Sequence, residues 1–533
     1  MSKAKLDLNA IPREKFEFAN KGERLSDQKF EDKPISYFKD AWLRFRRNKA
    51  SIGATIIIIC IILFSIFAPL FTMGKYDSKF MDPYYAKMGP RNLLLSKIGV
   101  AEGTVERKYN DRGYLLALAT GVGADGYDGK TVAIPDATEK YMPIKNLLSL
   151  TSKSDPIMGD SYSITAEVDT YLNVGFMYQP IEQHEFEKIR AWEEETGIHV
   201  LYPLIDTESK YYPKDLDPEG TNANYWYRAN KKLHPLDERG KKIEYSEGTD
   251  FSDVTFTDNY LRDENGDLVY WKYTGGGTLE TAQYNVRVLY YNWYLYQNGF
   301  EPEYLFGTDS QGYDLALRMA IGIRLSLLVA VFVSVINFVL GAIYGAIEGY
   351  YGGTVDIVLE RISDILNGIP FIVVSTLFQL HLAKKVGPIP SLLFAFVVTG
   401  WIGTASRVRT QFYRFKNQEY VMAARTLGAR DRRIIWKHIF PNSLGTIITS
   451  SALVIPSVIF SESMLSFLGI VNLGGSSMTS LGTLLSDASS IWTTYPHLMI
   501  FPAIVISLLM ISFNLFGNGL RDAFNPSLRG VED

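Results

Sequence analysis

Hydrophobic and polar positions divide this chain into long apolar runs and one very long polar block. The apolar runs are Ile52–Phe71, Leu315–Gly349, Phe371–Leu382, Ser391–Gly403, Asn442–Gly469 and His497–Leu515. Each is read as a membrane span, since about 20 apolar residues cross the ~30 Å hydrocarbon layer as a helix. Leu315–Gly349 is longer than a span needs, and Arg318 and Arg324 move the start of its apolar core to near Leu325. Phe371–Leu382 is short and is expected to continue through Ile365–Ile369. Asn442–Gly469 is interrupted by Pro456 and carries Glu462. Before the first run, Ile35, Tyr37, Phe38, Ala41, Trp42 and Phe45 recur at helical spacing among Lys39, Arg44, Arg46, Arg47 and Lys49. That pattern fits an amphipathic helix on the inner membrane face, or a basic flank of the first span.

The polar block, Gly74–Phe306, has its own strand and helix signals. Ile181–Thr196 reads as a helix stopped by Gly197, and Ile198–Ile205 as a buried strand. Val254–Leu261 and Leu268–Thr274 flank Asn265-Gly266, the strongest hairpin signal in the chain. Val286–Tyr296 is strongly aromatic and fits a strand or a helix. About 25 of the 33 tyrosines lie in this block, either as a recognition surface or as the filling of a β-rich core. Ala124–Thr131 (ADGYDGKT) meets a relaxed phosphate-loop pattern. A phosphate loop must open a helix, and Val132-Ala133-Ile134-Pro135 reads as a short strand, so a glycine-rich turn is expected instead. Asp125 and Asp128 lack the spacing of a calcium-binding EF-hand loop.

Charge supplies the sidedness. The polar block carries about −12 and the remainder about +8, an asymmetry expected of opposite membrane faces. From Arg407 to Lys437 about nine Arg or Lys stand against about two acids, which places this loop on the cytoplasmic side. An even number of crossings agrees, with both termini cytoplasmic and the block outside. The first span begins too late for an ordinary cleaved signal and reads as an uncleaved anchor. The single cysteine, Cys60, excludes an intrachain disulfide, so the block must rely on its own core.

The basic loop centres on Glu419–Pro441, EYVMAARTLGARDRRIIWKHIFP. Ala423 and Ala424 offer a close-approach surface, and Gly428 after Leu427 can turn the chain. Arg432, Arg433, Ile434, Ile435 and Trp436 suggest a second short amphipathic helix, expected to stop before Pro441. Asp356, Glu360 and Asp364 share one helical face, either solvated or set against the basic loop. Glu462 within an apolar run points to a pore-lining or gating role, shared with Ser466, or to pairing between helices.

Ala423-Ala424, Leu427-Gly428-Ala429, Ile439 and Pro441-Asn442 resemble the "EAA" loop of permease subunits of bacterial ABC importers, with Met422 at the position of the signature glutamate. Gly307-Thr308-Asp309-Ser310-Gln311-Gly312-Tyr313-Asp314 resembles the motif preceding the permease core in oligopeptide, dipeptide and nickel importers, with Tyr313 in place of arginine. Ser461–Gly469 and Gly519-Leu520-Arg521-Asp522 resemble the same family. The likeness covers 307–522 closely and 52–74 loosely, with the 74–306 block as an insertion.

The resemblance implies an all-α polytopic membrane protein of six transmembrane helices, with an inserted α+β extracytoplasmic domain between helices 1 and 2. Its parts would be a cytoplasmic segment 1–50, helix 1 at 51–73, the insertion at 74–306, a permease core at 307–522 with its coupling loop at 404–441, and a tail at 523–533. It implies a bacterial plasma membrane subunit forming half of a pore for oligopeptides or dipeptides. The expected partners are a second permease subunit, two cytoplasmic ATPase subunits and an extracellular substrate-binding lipoprotein; no nucleic acid is expected. ATP and Mg would sit on the ATPases, so this chain is expected to hold no cofactor or metal, to have no catalytic residue and to be no enzyme by itself. Coupling to the ATPases is assigned to Glu419, Tyr420, Ala423, Ala424, Leu427, Gly428, Ala429, Asp431, Arg432, Arg433 and Pro441. Gly307, Thr308, Asp309, Gly312 and Asp314 are assigned a structural role, a turn capping the next helix. The insertion would dock the binding protein, roof the pore, or act as an enzyme or sensor. With only His184, His199 and His234, no cysteine, no zinc spacing and no G-x-S-x-G elbow, it lacks common enzyme signatures. The competing reading is a six-span receptor with an extracellular sensor.

Overall fold

The computed structural model describes residues 37–72, 81–125, 132–133, 139–155, 159–243, 251, 254–275, 283–474 and 478–524. The phosphate-loop-like stretch lies mostly outside them; Val132–Ala133 after it is a two-residue strand, β2. Two parts stand out, a helical bundle and an α+β domain inserted after its first long helix.

The bundle opens with α1 (Tyr37–Arg47) and α2 (Lys49–Thr72). Ala41 and Phe45 of α1 are buried against the far end of α17 (His497–Phe524), and the Phe45 and Phe516 rings meet edge to face at 5.5 Å. So α1 keeps its apolar stripe on the protein while Trp42 stays exposed. The core helices are α6 (Leu315–Tyr351), α7 (Gly353–Asn367), α8 (Phe371–His381), the short α9 (Ala383–Val386), α10 (Pro388–Gly400), α11 (Ile402–Phe415), α14 (Phe440–Ala452), α15 (Val454–Phe467) and α16 (Leu481–Ala488). Among the described residues, four stretches are long and apolar enough to cross a membrane: Lys49–Leu70, Leu315–Tyr351, Pro388–Phe415 and His497–Phe524. A fifth is a pair, Asp431–Thr449 and Val454–Phe467, bent by 45°. The expected third span is the 11-residue α8, about 16 Å long, which alone falls short of the bilayer. Pro370 separates it from α7 because it cannot continue the ladder.

The inserted domain has a three-stranded antiparallel sheet, order β1 (Thr104–Tyr109), β4 (Gly159–Asp169), β3 (Ile144–Asp155). A second sheet is built on β9 (Gln283–Leu289), which pairs with β5 (Phe176–Glu182), β6 (Leu201–Tyr202) and β8 (Trp271–Gly275); β2 pairs with β7 (Thr255–Phe256). Helices α3 (Asp111–Asp125), α4 (Gln183–Thr196) and α5 (Tyr290–Asn298) complete it. Gly197 ends α4 at φ +71°, and Gly266 turns the Asp263–Asp267 loop at φ +88°. The aromatic run Val286–Tyr296 is a strand and then a helix, switching at Tyr290. Tyrosine fills the core: Tyr85, Tyr171, Tyr202, Tyr227, Tyr290 and Tyr304 are buried together. Most of their hydroxyls find partners, as buried polar groups do, while that of Tyr85 has none among the described residues. Tyr171 donates to the Gly89 carbonyl at 2.8 Å, Tyr202 to that of Ala124 at 2.7 Å, and Tyr290 to Asp82 at 2.7 Å.

Gly307–Asp314 joins the two parts. Gly307 and Gly312 have φ of +79° and +93°, open to glycine. The Thr308 hydroxyl donates to the Tyr85 carbonyl and accepts from the Met88 N–H at 2.8 Å. Asp309 accepts from the Gln311 and Tyr313 N–H groups, each at 2.9 Å, and pairs with Arg318 at 3.2 Å. Tyr313 is buried and lies under the Arg318 guanidinium, 4.9 Å from its ring centre. Asp314 caps α6 by accepting from Ala316 N–H at 2.9 Å. The motif therefore bolts the start of the insertion to the head of the longest helix.

Burial raises the Asp314 carboxyl to about 6, against the pull of the helix N–H groups. Its folded value lies above the ~3.9 of an unfolded aspartate, so ionisation penalises the fold. The penalty is full above about pH 6 and gone below about pH 4. Solubilised protein should therefore melt higher near pH 5 than near pH 7.5. Asp314→Asn, which keeps a cap, should raise the melting point near pH 7.5 and flatten that slope; an unaltered profile counts against the assignment.

Candidate functional site: the basic elbow

The basic loop folds as an elbow between α11 and α14. After α11 comes α12 (Glu419–Thr426), followed by a glycine-terminated turn. Gly428 sits at φ +82° and donates its N–H to Arg425 O at 3.0 Å, while Ala429 N–H reaches Ala424 O at 3.1 Å. These two bonds are the Schellman pattern, which satisfies the last helix carbonyls through one left-handed residue. The next segment is the single turn α13 (Asp431–Arg433), which widens into a π-helical turn, Ile434–Ile439, and runs directly into α14.

This corrects the expected stop before Pro441. The helix passes through it, because Pro441 falls in the first turn of α14. A proline there forfeits an N–H that has little to bond, and the wider π turn before it eases the ring past the carbonyl four residues back.

The elbow is held by a small apolar underside. Val421, Ile434, Ile435 and Ile439 are buried with Ala342, Ala346 and Tyr350 of α6 and Val408 and Phe412 of α11. Tyr350 also donates its hydroxyl to Asp431 at 2.6 Å. The opposite face is open. Glu419, Tyr420, Ala423, Arg432 and Arg433 are exposed, Ala424 and Ala429 half-buried, and Leu427 is 87% exposed. Met422 is also exposed. Arg430, Arg432, Arg433, Trp436 and Lys437 line a cleft of about 410 Å³, a basic pocket with one aromatic wall. A naked Leu427 beside such a pocket is unusual for a lone surface and suits an acidic, partly apolar partner.

Two devices brace the helices that carry the elbow. Gly341, Gly345 and Gly349 face α11 at four-residue spacing; a Cβ on Gly341 would meet the Thr404 side chain at 2.7 Å, and one on Gly349 the Phe412 Cβ at 2.6 Å. Small residues on one face let two helices approach closely. The second device is a clasp on α7. Arg409 Nε and Nη2 donate to Asp356 at 2.6 and 2.8 Å, and Nη1 and Nη2 to Glu360 at 2.9 and 3.0 Å. Tyr413 donates to Asp356 at 2.6 Å. The Arg409 hydrogen bonds hold the Asp356 carboxyl below its ordinary range despite burial. Two of the three acids on that face thus meet the basic stretch, whereas Asp364 pairs with its exposed neighbour Arg361 at 2.9 Å. Arg409 and the glycine stripe were not singled out from the sequence, although the four-residue glycine period was visible there.

Glu462 and Ser466 lie away from the elbow, inside the bundle. Glu462 is buried and accepts from Ser326 of α6 at 2.9 Å and from Ser466 at 3.0 Å. The arrangement is a polar tie between α15 and α6. Among the described residues no group of His, Cys, Asp or Glu could hold a metal ion.

Several helices long and apolar enough to cross a membrane, joined to an exposed basic elbow, mark a multi-pass membrane protein. Residues 338–530 match the family "Binding-protein-dependent transport system inner membrane component". Residues 36–90 match "N-terminal TM domain of oligopeptide transport permease C", which leaves most of the inserted domain between the two matches. The chain is 41% identical over 227 residues to the oligopeptide transport system permease protein OppC of Bacillus subtilis (strain 168), covering 43% of this chain and 73% of that one. It is 38% identical over 275 residues to the dipeptide transport system permease protein DppC of Lactococcus lactis subsp. cremoris (strain MG1363), covering 50% and 75%. A solved inward-facing MetNI methionine ABC transporter overlaps 39% of this chain and 96% of its own, at 16% identity and a TM-score of 0.33, too slight an overlap to bear on the fold. The chain belongs to this family of ABC transporter permease subunits.

Gly428→Val puts a β-branched residue at a left-handed position, a penalty of about 1–2 kcal/mol or more. Because no atom lies within 4 Å of a Cβ there, backbone strain alone is tested. The melting point should fall for Gly428→Val and much less for Gly428→Asn; equal falls would argue against the turn.

Proposed function

We propose that this chain forms half of the translocation path of an ATP-driven importer for oligopeptides or dipeptides. The observation that carries the reading is the elbow, with its open basic face and its rigid attachment to α6 and α11. Two ATPase subunits, holding ATP and Mg, dock on this elbow and its counterpart in a second permease subunit. Their closure pushes α12. Because the glycine stripe locks α6 to α11 and the Arg409 clasp locks α11 to α7, the push travels as a rigid-body tilt and exposes the cavity to the other side. The chain's work is mechanical; it is not itself an enzyme.

The topology we propose has six spans, with α8 extended by the end of α7 as the third and the bent α14–α15 pair as the fifth. Both termini are cytoplasmic, and the inserted domain lies outside the bacterial plasma membrane, facing a substrate-binding lipoprotein. The charge asymmetry supports this orientation. The insertion's bolts to α6 support a docking or roofing role over a sensor's.

Co-purification tests the elbow. Arg432→Glu with Arg433→Glu, or Ala424→Trp, should cut recovery of ATPase subunits with the permease by about tenfold or more, since each puts a like charge or bulk into a docking surface. Undiminished recovery would remove the elbow from the interface. Replacing 103–299 by a short linker should abolish most uptake and leave ATPase assembly intact; unchanged uptake would rule out the docking and roofing roles.

A further inference from the structure

Strand β1 is an edge strand: β4 occupies one side of it, from Thr104↔Asp169 to Tyr109↔Ile164, and among the described residues no strand pairs with the other. Thr170 N–H bonds to the Gly103 carbonyl at 3.1 Å on the β4 side. Strand alternation then turns the main-chain groups of Val105, Arg107 and Tyr109 towards β4, and those of Thr104, Glu106 and Lys108 outward. Gly89 lies close to the Thr104 carbonyl, which leaves Glu106 and Lys108 to present the outward N–H and C=O groups.

That edge faces a cleft of about 850 Å³, lined by Pro90, Thr104–Tyr109 and, opposite, Thr493–His497. Side chains alternate between the faces of a strand, so a cleft over one face would be lined by every second residue. Here six consecutive residues line it, and it therefore runs along the edge. Arg107 reaches across to the Tyr495 hydroxyl at 3.1 Å. Its Nε is buried without a partner. The cleft closes against the turn that begins α17 and is within the size range of small-ligand sites.

We propose that this cleft binds a short peptide in extended form, added to the sheet as a strand beside β1. Strand addition recognises main chain, which every peptide shares, and leaves side chains to the open part of the cleft. A carrier of peptides of varied sequence needs a holding site of that kind. The inference rests on the peptide-importer reading and adds to it a binding site within the inserted domain.

The test uses the full chain in lipid nanodiscs and a fluorescein-labelled pentapeptide of valine and threonine. The peptide should bind, and a copy N-methylated at its internal amides should bind at least tenfold more weakly. Glu106→Pro removes one outward N–H and leaves the β4 ladder whole, as edge positions allow. It should weaken binding roughly three- to tenfold, the worth of one main-chain hydrogen bond, and Glu106→Gln should not. Equal binding of the methylated copy, or no effect of Glu106→Pro in a folded domain, overturns the inference. Should Glu106→Pro fail to fold, the methylated copy on the native chain decides. A benzophenone on Lys108→Cys should cross-link the peptide; cross-linking of the substrate-binding protein in its place overturns the inference. A reconstituted complex that imports the peptide while the edge binds none overturns this inference alone. A complex that imports no peptide overturns the importer reading, and this inference with it.

Discussion

Close contact between α6 and α11 is the constraint on which the rest depends. Three glycines at one-turn spacing on α6 let α11 come down onto its backbone, and packing at that distance leaves no room for sliding. The Arg409 clasp then fixes α7 to the same pair. Without this block, the elbow would be a flap and a push on α12 would be lost as bending. With it, Val421 and three isoleucines suffice to seat the elbow.

A second rigid joint lies at the other end of α6. The Gly307–Asp314 turn caps the helix, satisfies the chain at Tyr85 and Met88, and buries Arg318 against Asp309. The longest helix of the bundle is therefore gripped at both ends, by the inserted domain and by the elbow. A domain joined so firmly to the head of α6 by a capped turn, not a flexible linker, is held in fixed register with that helix.

Much of this was legible from local rules. Leu427-Gly428 announced its turn because only a left-handed residue ends a helix that way, and the Schellman bonds appear there. Asp309 and Asp314 announced a capped helix start because short acids accept orphan N–H groups. Pro441 misled, since a proline marks a break unless it falls in a helix's first turn, and which turn is first depends on the π widening upstream. The tyrosines of the insertion were ambiguous because ring burial depends on neighbours distant in sequence: Tyr85 packs on Tyr290 and Tyr294.

By itself the sequence determined the apolar runs, the charge asymmetry, the elbow and its glycine, because each follows from residues a few positions apart. Only the tertiary structure decided that Asp356 and Glu360 share Arg409, that Glu462 is tied to Ser326, and that β1 is left as an edge beside Tyr495. Those are pairings across tens to hundreds of residues. No local periodicity encodes such partners, since they are chosen by which helices and strands the packed core brings within reach.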